Sequence, residues 1–143
     1  MYLLDTNIVS LFEPRRIARS AGLVDWMRRN DARIRLSAMT VAEVEAGILK
    51  LIRDGKPDRA AQLAAFRDGL LTDFADRILP MDAAVALAVA RLAEKARPTV
   101  PELADLIIAA TASVHGLTIL TRNLRHFAPT GIPALDPEES LPG

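Results

Sequence analysis

The 143-residue sequence contains no cysteine, which excludes disulfide bonds and thiolate ligands for a metal ion. Its apolar runs are too short to cross a membrane, and no basic segment precedes Asp5. We therefore expect neither a membrane span nor a signal peptide. The lack of cysteine also fits a reducing compartment, and we expect a cytoplasmic location.

The sequence also has no excess of basic residues over acidic ones. The 18 Lys and Arg residues balance 18 Asp and Glu residues, so binding to nucleic acid would require a local basic patch. One cluster lies early in the chain, at Arg15, Arg16, Arg19, Arg28, Arg29, Arg33 and Arg35. A solvated surface explains these arginines at least as well as a nucleic-acid-binding rim, and both interpretations stay open.

Half of the residues are apolar and a quarter are charged, which is typical of a globular protein. We expect one domain spanning residues 1–143. The tail from residue 136 to residue 143 carries Pro137 and Pro142, and we expect it to fray.

Short apolar segments alternate with helical patterns along the chain. The predicted strands are Tyr2–Leu4, Ile34–Ser37, Arg77–Leu79, Leu117–Thr121 and a short edge strand, Ala134–Leu135. The predicted helices are Asn7–Phe12, Gly22–Asn30, Thr40–Asp54, Arg59–Leu71, Ala83–Ala96 and Glu102–His115. This alternation predicts an α/β fold, with a mainly parallel sheet of four to five short strands covered by helices on both faces.

Polar residues stand where three of the predicted strands end. Asp5 follows the first strand, Ser37 ends the second and Thr121 ends the fourth. In parallel sheets, functional sites form at the carboxyl ends of the strands, where the strand order switches. We therefore expect these residues to share one edge of the sheet.

Three acids are candidate site residues, and each has a local alternative. Asp5 would also serve as a helix cap. Glu43 follows Thr40 by three residues, which predicts a capping box that starts a helix at Thr40. Asp105 lies among apolar residues near a helix start, where its attraction to the helix dipole is modest and an unpaired charge is costly. A cation or a strong hydrogen-bond donor is expected opposite Asp105.

Considered together, the three acids predict a metal site. Carboxylates that share one edge repel one another unless they are protonated, paired or bound to metal. Oxygen ligands of this kind suit Mg²⁺ or Mn²⁺. Zinc is not expected, because the two histidines, His115 and His126, have no ligand spacing. We assign them to a helix C-terminus and a surface loop.

A family resemblance rests on four segments. They are Leu4–Asn7, Thr40–Glu43, Ala104–Ala112 and Gly116–Asn123. In this order and spacing they resemble the PIN-domain ribonucleases, in particular the VapC-type toxins of toxin–antitoxin systems. The resemblance spans nearly the whole chain. It implies a three-layer α/β/α sandwich with an acidic site that binds Mg²⁺ or Mn²⁺ and cleaves RNA.

The resemblance also assigns roles to residues of this chain. The implied catalytic metal ligands are Asp5, Glu43 and Asp105. The implied polar residues that line the site and contact substrate are Thr6, Asn7 and Thr121. Arg122 is a further substrate-binding candidate, because it would lie close enough to contact phosphate, although a solvated loop explains it equally well.

Asn123 departs from the family pattern, which often has a fourth acid here. Its amide oxygen can still ligate a metal ion or hold a water molecule, so we count it as a catalytic candidate, but it carries no charge. This change puts a two-metal mechanism in doubt. It favours an alternative function, a catalytically weak module that binds RNA or a protein partner. A phosphatase is a more distant alternative, since such enzymes usually need an acid where this chain has Asn7.

The resemblance implies two protein partners, a second copy of the chain and a cognate antitoxin. Such an antitoxin could inhibit the site by placing an Arg against the acids. We expect the contact surfaces on the Thr40–Asp54 helix and in the N-terminal third, where apolar side chains are numerous. These side chains include Leu11, Phe12, Ile17, Leu23 and Leu49. Burial in the chain's own core is the favoured explanation for most of them.

Overall fold

The computed structural model describes residues 1–14 and 21–143 of the chain. Arg15, Arg16, Ile17 and Arg19, which the sequence analysis singled out, lie outside these residues. Within the described ranges, no helix is both long enough and apolar enough to cross a membrane.

A five-stranded parallel sheet forms the centre of the described structure, with the strand order β3-β2-β1-β4-β5. The strands are β1 Tyr2–Leu4, β2 Ile34–Ser37, β3 Ile78–Leu79, β4 Thr118–Leu120 and β5 Ala134–Leu135. From β1 the chain builds the sheet outward to β3, and then returns to β4 on the other side of β1. The switch in strand order therefore lies between β1 and β4, where a site is expected.

Seven helices accompany the sheet in the described part of the chain. They are α1 Thr6–Val9, α2 Ala21–Arg29, α3 Ala38–Arg53, α4 Pro57–Asp73, α5 Ala83–Ala96, α6 Leu103–His115 and α7 Leu124–Phe127. Asp82 accepts a hydrogen bond from the backbone N–H of Val85 and caps α5, and Gly116 ends α6 with φ 65°. Both arrangements are typical of helix ends.

The central strands bury both of their faces, because neighbouring residues of a strand point to opposite sides. Leu3 packs with apolar residues of α5 and α6 on one side of the sheet. Leu4 packs with residues of α1 and α2 on the other. This arrangement confirms the expected three-layer α/β/α sandwich.

The predicted start of α3 is wrong. The helix begins at Ala38, and its cap is Ser37, whose hydroxyl accepts a hydrogen bond from the backbone N–H of Met39. Ser37 also ends β2, so the chain passes from strand to helix without a loop. Thr40 therefore lies inside the first turn, and the capping box predicted for Thr40 and Glu43 does not form.

The tail that we expected to fray makes polar contacts with other described residues. The carbonyl oxygen of Pro142 accepts a hydrogen bond from the indole Nε1 of Trp26, at 2.9 Å. Glu138 Oε2 lies 3.0 Å from the guanidinium Nε of Arg122. The second contact joins the tail to the loop that follows β4.

Candidate active site

Asp5 follows β1 directly, and only 6% of its surface is exposed. The backbone N–H of Thr6 donates to its Oδ1 at 2.8 Å, and the hydroxyl of Thr121 donates to its Oδ2 at 2.8 Å. The N–H of Asp5 donates to the carbonyl of Leu120 on β4. Asp5 therefore both caps α1 and holds a fixed carboxylate at the switch between β1 and β4.

Thr6 connects this carboxylate to α3. Its hydroxyl donates to Glu43 Oε1 at 2.6 Å, and the hydroxyl oxygen of Thr40 lies 3.2 Å from that of Thr6. Thr40 is fully buried. The Glu43 carboxylate is thus held toward β1, where sequence analysis expected a site acid, and not toward the start of its own helix.

Thr121 is the polar centre of the β4 end of the site. Besides donating to Asp5, its hydroxyl accepts the backbone N–H of Asn123 at 2.9 Å and lies 3.5 Å from Nδ2 of Asn7. The side-chain oxygen of Asn7 accepts the backbone N–H of Arg122 at 3.3 Å. These contacts hold the loop after β4 against the start of α1.

The side chains of Arg122 and Asn123 lie at the outer rim. The guanidinium of Arg122 is paired with Glu138, and both side chains are partly exposed. Asn123 precedes α7 and is exposed, with no side-chain hydrogen bond to the start of that helix. Its amide therefore faces solvent at the edge of the sheet.

Asp105 lies in the first turn of α6, and 20% of its side chain is exposed. The imidazole Nδ1 of His126, on α7, lies 3.3 Å from Asp105 Oδ2. This contact supplies the donor that the sequence predicted opposite Asp105. The assignment of His126 to a surface loop was wrong, because α7 turns its ring toward the acid.

The pKa values of two carboxyl groups are shifted upward at this site. Burial is the main cause of the raised pKa of Asp5; hydrogen bonds from Thr121 and Thr6 oppose it, and the charge of Asp105 adds to it. The pKa of Asp105 is also raised, first by burial and then by the charges of Glu43 and Glu102, while His126 opposes the shift. The negative charge of Asp105 therefore opposes ionisation of Asp5, and that of Glu43 opposes ionisation of Asp105, at one edge of the sheet.

The donor set fits a hard divalent cation in its chemistry, since it consists of carboxylate oxygens whose repulsion a cation would relieve. In residues 1–14 and 21–143, however, no three Asp, Glu or His side chains are grouped closely enough to hold one ion. A cation shared by Asp5, Glu43 and Asp105 would require their side chains to move closer together.

Two depressions flank α7. One has a volume of about 270 Å³ and is lined by Glu102, Asp105, Arg125 and His126, among others. The other, of about 290 Å³, is lined by Asn123, Arg125, His126 and Asp136, among others. Arg125 and His126 belong to both, so the two depressions meet at α7.

Asp136 lines the same depression as Asn123, although it was not among the site residues predicted from the sequence. It follows β5 just as Thr121 follows β4, because Leu135 is in register with Leu120. The signal was present in the sequence, since the rule that placed Asp5 and Thr121 at strand ends applies equally to the end of β5.

Acidic residues lie at the switch point of the parallel sheet in this chain. They place it in the class of α/β proteins that carry an acidic site at the ends of the strands. The comparison with known families is then specific. A family model described as the PIN domain matches residues 2–131. The chain belongs to the PIN-domain family.

Curated relatives align over nearly their whole length. The chain is 35% identical to the plasmid stability protein StbB of Pseudomonas syringae pv. tomato, with 98% of this chain and 100% of the relative covered. It is 35% identical to toxin FitB of Neisseria gonorrhoeae, with 96% and 98% covered. It is 32% identical to VapC ribonuclease Y4jK of Sinorhizobium fredii, with 97% and 99% covered.

Solved structures agree with this relationship. A structure of FitAB bound to an IR36 DNA fragment superposes with a TM-score of 0.80 at 33% identity, covering 96% of this chain and 95% of that chain. A toxin–antitoxin complex from Klebsiella pneumoniae superposes with a TM-score of 0.60 at 27% identity, covering 96% and 98%. Both confirm the predicted PIN-like fold.

Proposed function

We propose that this protein is a divalent-metal-dependent ribonuclease, the toxin of a toxin–antitoxin pair, that hydrolyses phosphodiester bonds of RNA. The observation that carries the proposal is the placement of Asp5, Glu43 and Asp105 at the switch between β1 and β4. Thr6 contacts both Asp5 and Glu43, and the charge of Asp105 adds to the raised pKa of Asp5. One relative is named as a ribonuclease, which supports the proposed activity, and another is named as a toxin, which supports the proposed role.

In the proposed mechanism, Asp5, Glu43 and Asp105 would hold Mg²⁺ or Mn²⁺. A bound divalent cation supplies acidity to a coordinated water and neutralises charge on phosphoryl oxygens. Thr121 and the Thr6 amide fix both oxygens of Asp5, which orients the carboxylate before substrate arrives.

Two further side chains orient the reactants in this scheme. Glu43, held by Thr6, orients or deprotonates the attacking water. Asn123 offers an uncharged amide oxygen at the rim, which can hold a water.

A second candidate function is a PIN-like module that binds RNA or a partner and cleaves weakly. The uncharged Asn123 favours it, as does the lack of a closed three-ligand group among the described Asp, Glu and His side chains. Metal-dependent turnover distinguishes the two candidates.

We also propose that the chain pairs with a cognate antitoxin. An apolar cavity of about 550 Å³ lies between α2, α4 and the sheet, and Phe12, Met27, Phe66 and Phe74 are among its lining residues. An apolar segment of an antitoxin suits this cavity. The neighbour described as a toxin–antitoxin complex supports a partner of this kind.

A homodimer is the second proposed assembly. Leu11 and Leu23 are buried in the chain's own core, as expected, but other large apolar side chains are not covered. Leu87 on α5 and Leu103 at the start of α6 are exposed by 59% and 64%. Leu49 on α3 is half exposed. These surfaces are the proposed contacts with a second copy.

The test is cleavage of mixed cellular RNA by purified, antitoxin-free protein in Mg²⁺ or Mn²⁺. We expect discrete products that disappear with chelator. Asp105→Asn should lower the rate at least about a hundredfold, because changes even to outer partners of a metal ligand cost about 10- to 100-fold.

Asp25→Asn is the matched control, since it removes an exposed acid on α2 away from the site. Its rate should equal that of the wild-type protein. Folded wild-type protein that cleaves no RNA in either metal would contradict the proposed function and would support the binding module.

A further inference from the structure

His126 occupies a position that the proposed mechanism does not use. The neighbouring Phe127 is completely buried and anchors α7 in the core. His126 itself keeps 54% of its side chain exposed, although its Nδ1 lies only 3.3 Å from Asp105. Its ring is therefore oriented by an acid of the site and is also open to a ligand.

The ring stands where the two depressions beside α7 meet. One depression contains Asp105 and the other contains Asn123, and His126 lines both. A nucleic-acid strand lying along the two depressions would pass the acidic site on one side of His126 and the Asn123 amide on the other. Arg125, which lines both as well, adds positive charge to the same path.

The orientation of the imidazole decides which of its atoms can contact that nucleic-acid strand. Nδ1 lies 3.3 Å from Asp105 Oδ2. The second nitrogen, Nε2, is separated from Nδ1 by one ring carbon, and the two nitrogens form hydrogen bonds in diverging directions in the plane of the ring, so Nε2 is left for a different partner. Fixing one ring nitrogen in this way leaves the other as a defined hydrogen-bonding group.

We propose that Nε2 of His126 hydrogen-bonds to the ribose 2′-hydroxyl of a bound strand and so makes this site prefer RNA over DNA. The inference rests on the proposed function and adds a specificity-determining residue to it. A 2′-hydroxyl both donates and accepts hydrogen bonds, so it suits Nε2 with or without a proton. This group is what allows a protein to distinguish RNA from DNA at a given position.

A different role for His126 would be only to hold Asp105 in place. Two substitutions separate the roles. In His126→Asn the amide branches at the same carbon as Nδ1, so it can keep the Asp105 contact but does not reach as far as Nε2. In His126→Gln the amide lies one bond farther out, so it can replace Nε2. His126→Phe keeps a ring and removes both nitrogens.

The experiment uses an RNA oligonucleotide that carries a cleavage site mapped in mixed cellular RNA, and a set of copies with one 2′-deoxynucleotide at each position in turn. In the proposed reaction water is the nucleophile, so a missing 2′-hydroxyl does not remove a reactant. The ratio of kcat/KM for the RNA to kcat/KM for each copy measures the preference for ribose.

For the wild-type protein we expect kcat/KM to fall about three- to tenfold when the 2′-hydroxyl is missing at one position, since one net hydrogen bond has that value. His126→Phe and His126→Asn should bring this ratio close to one, and His126→Gln should keep part of it. Affinities for the all-RNA strand and the DNA strand of the same sequence, measured by fluorescence anisotropy, give the same comparison for any variant that cleaves too slowly.

Three results would overturn the inference while leaving the ribonuclease in place. One is wild-type cleavage of RNA with no sensitivity to any 2′-deoxynucleotide. Another is His126→Phe with the wild-type ratio. The third is a ratio kept by His126→Asn and lost by His126→Gln, which would indicate that only the Asp105 contact matters. Absence of RNA cleavage by the wild-type protein would instead reject the proposed function, and this inference with it.

Discussion

The site has two halves that differ in how their polar atoms are held. The buried half consists of the buried residues Asp5, Thr40 and Thr121, together with the half-buried Thr6 and the Glu43 carboxylate that Thr6 holds. The open half consists of Asp105, Asn123, Arg125 and His126, which line the depressions beside α7. In the buried half each carboxylate accepts hydrogen bonds from hydroxyls or amides, whereas the open half relies on one contact between Asp105 and His126.

This difference separates two tasks. Buried hydroxyls that are fully hydrogen-bonded fix a carboxylate in one orientation, because leaving any of them unpaired is costly. Exposed side chains cost little to reorient and can adapt to a ligand. The buried half therefore sets the position of the site, and the open half is where substrate and cation are expected to change the structure.

The largest expected effect on stability comes from breaking the buried half with Thr121→Val. The new side chain has nearly the same shape, but Asp5 Oδ2 and the Asn123 N–H lose their partner. We expect unfolding in urea to show a loss of about 1–3 kcal/mol. Thr118→Val, on the same strand, is the matched control, since the described structure shows no hydrogen bond from that hydroxyl. Equal losses in the two variants would contradict the special role of Thr121.

A smaller effect, of opposite sign, is expected in the open half from Asp105→Asn. Burial raises the pKa of Asp105 in the folded protein, so the folded state binds this proton more tightly than the unfolded chain does. The stability contributed by that proton is fully present below about pH 3.8, the ordinary pKa, and is lost as pH rises through the raised value. At neutral pH the ionised acid therefore destabilises the fold, and Asn removes this cost.

The measurement is the thermal midpoint, Tm, of the wild-type and Asp105→Asn proteins in chelator at several pH values. We expect a higher Tm for the variant at pH 7, by about 2–4 °C for each kcal/mol gained, and a difference that shrinks toward pH 4. Adding Mn²⁺ should raise the Tm of the wild-type protein more than that of the variant. A lower Tm for the variant at pH 7, with its CD spectrum unchanged, would contradict the repulsion on which the proposed site rests.

The sequence was informative about the buried half where its residues follow strands, as Asp5 and Thr121 do. Asp5 and Thr121 interrupt apolar runs, and the rule for parallel sheets brings such residues to one edge. The start of α3 was misjudged for a local reason. Ser37 is itself a good capping residue, and Ala38 and Met39 are good helix formers, so the helix can begin directly after the strand.

The open half depends on tertiary packing that the sequence pattern does not encode. His126 meets Asp105 because α7 is anchored by Phe127 and lies beside α6, and no spacing between the two residues indicates that contact. Asp136 reaches the rim through the register of β5 with β4. A two-residue edge strand gives too weak a pattern to fix such a register from sequence.

The smallest expected effect lies at the outer rim, where Glu138 pairs with Arg122 at 3.0 Å. Both side chains are partly exposed, so Glu138→Gln should change the free energy of unfolding by less than about 0.5 kcal/mol.

If Arg122 contacts phosphate, as the sequence analysis proposed, releasing it should tighten RNA binding at low salt. The plot of log affinity against log salt should steepen by about 0.7, the value for one phosphate of a single strand. Glu94→Gln, which breaks the exposed pair between Glu94 and Arg97 at the C-terminal end of α5, is the control and should leave that slope unchanged. An unchanged slope in Glu138→Gln would instead favour the interpretation of Arg122 as a solvated loop residue, and the substrate contacts of the open half would then rest on Arg125 and His126.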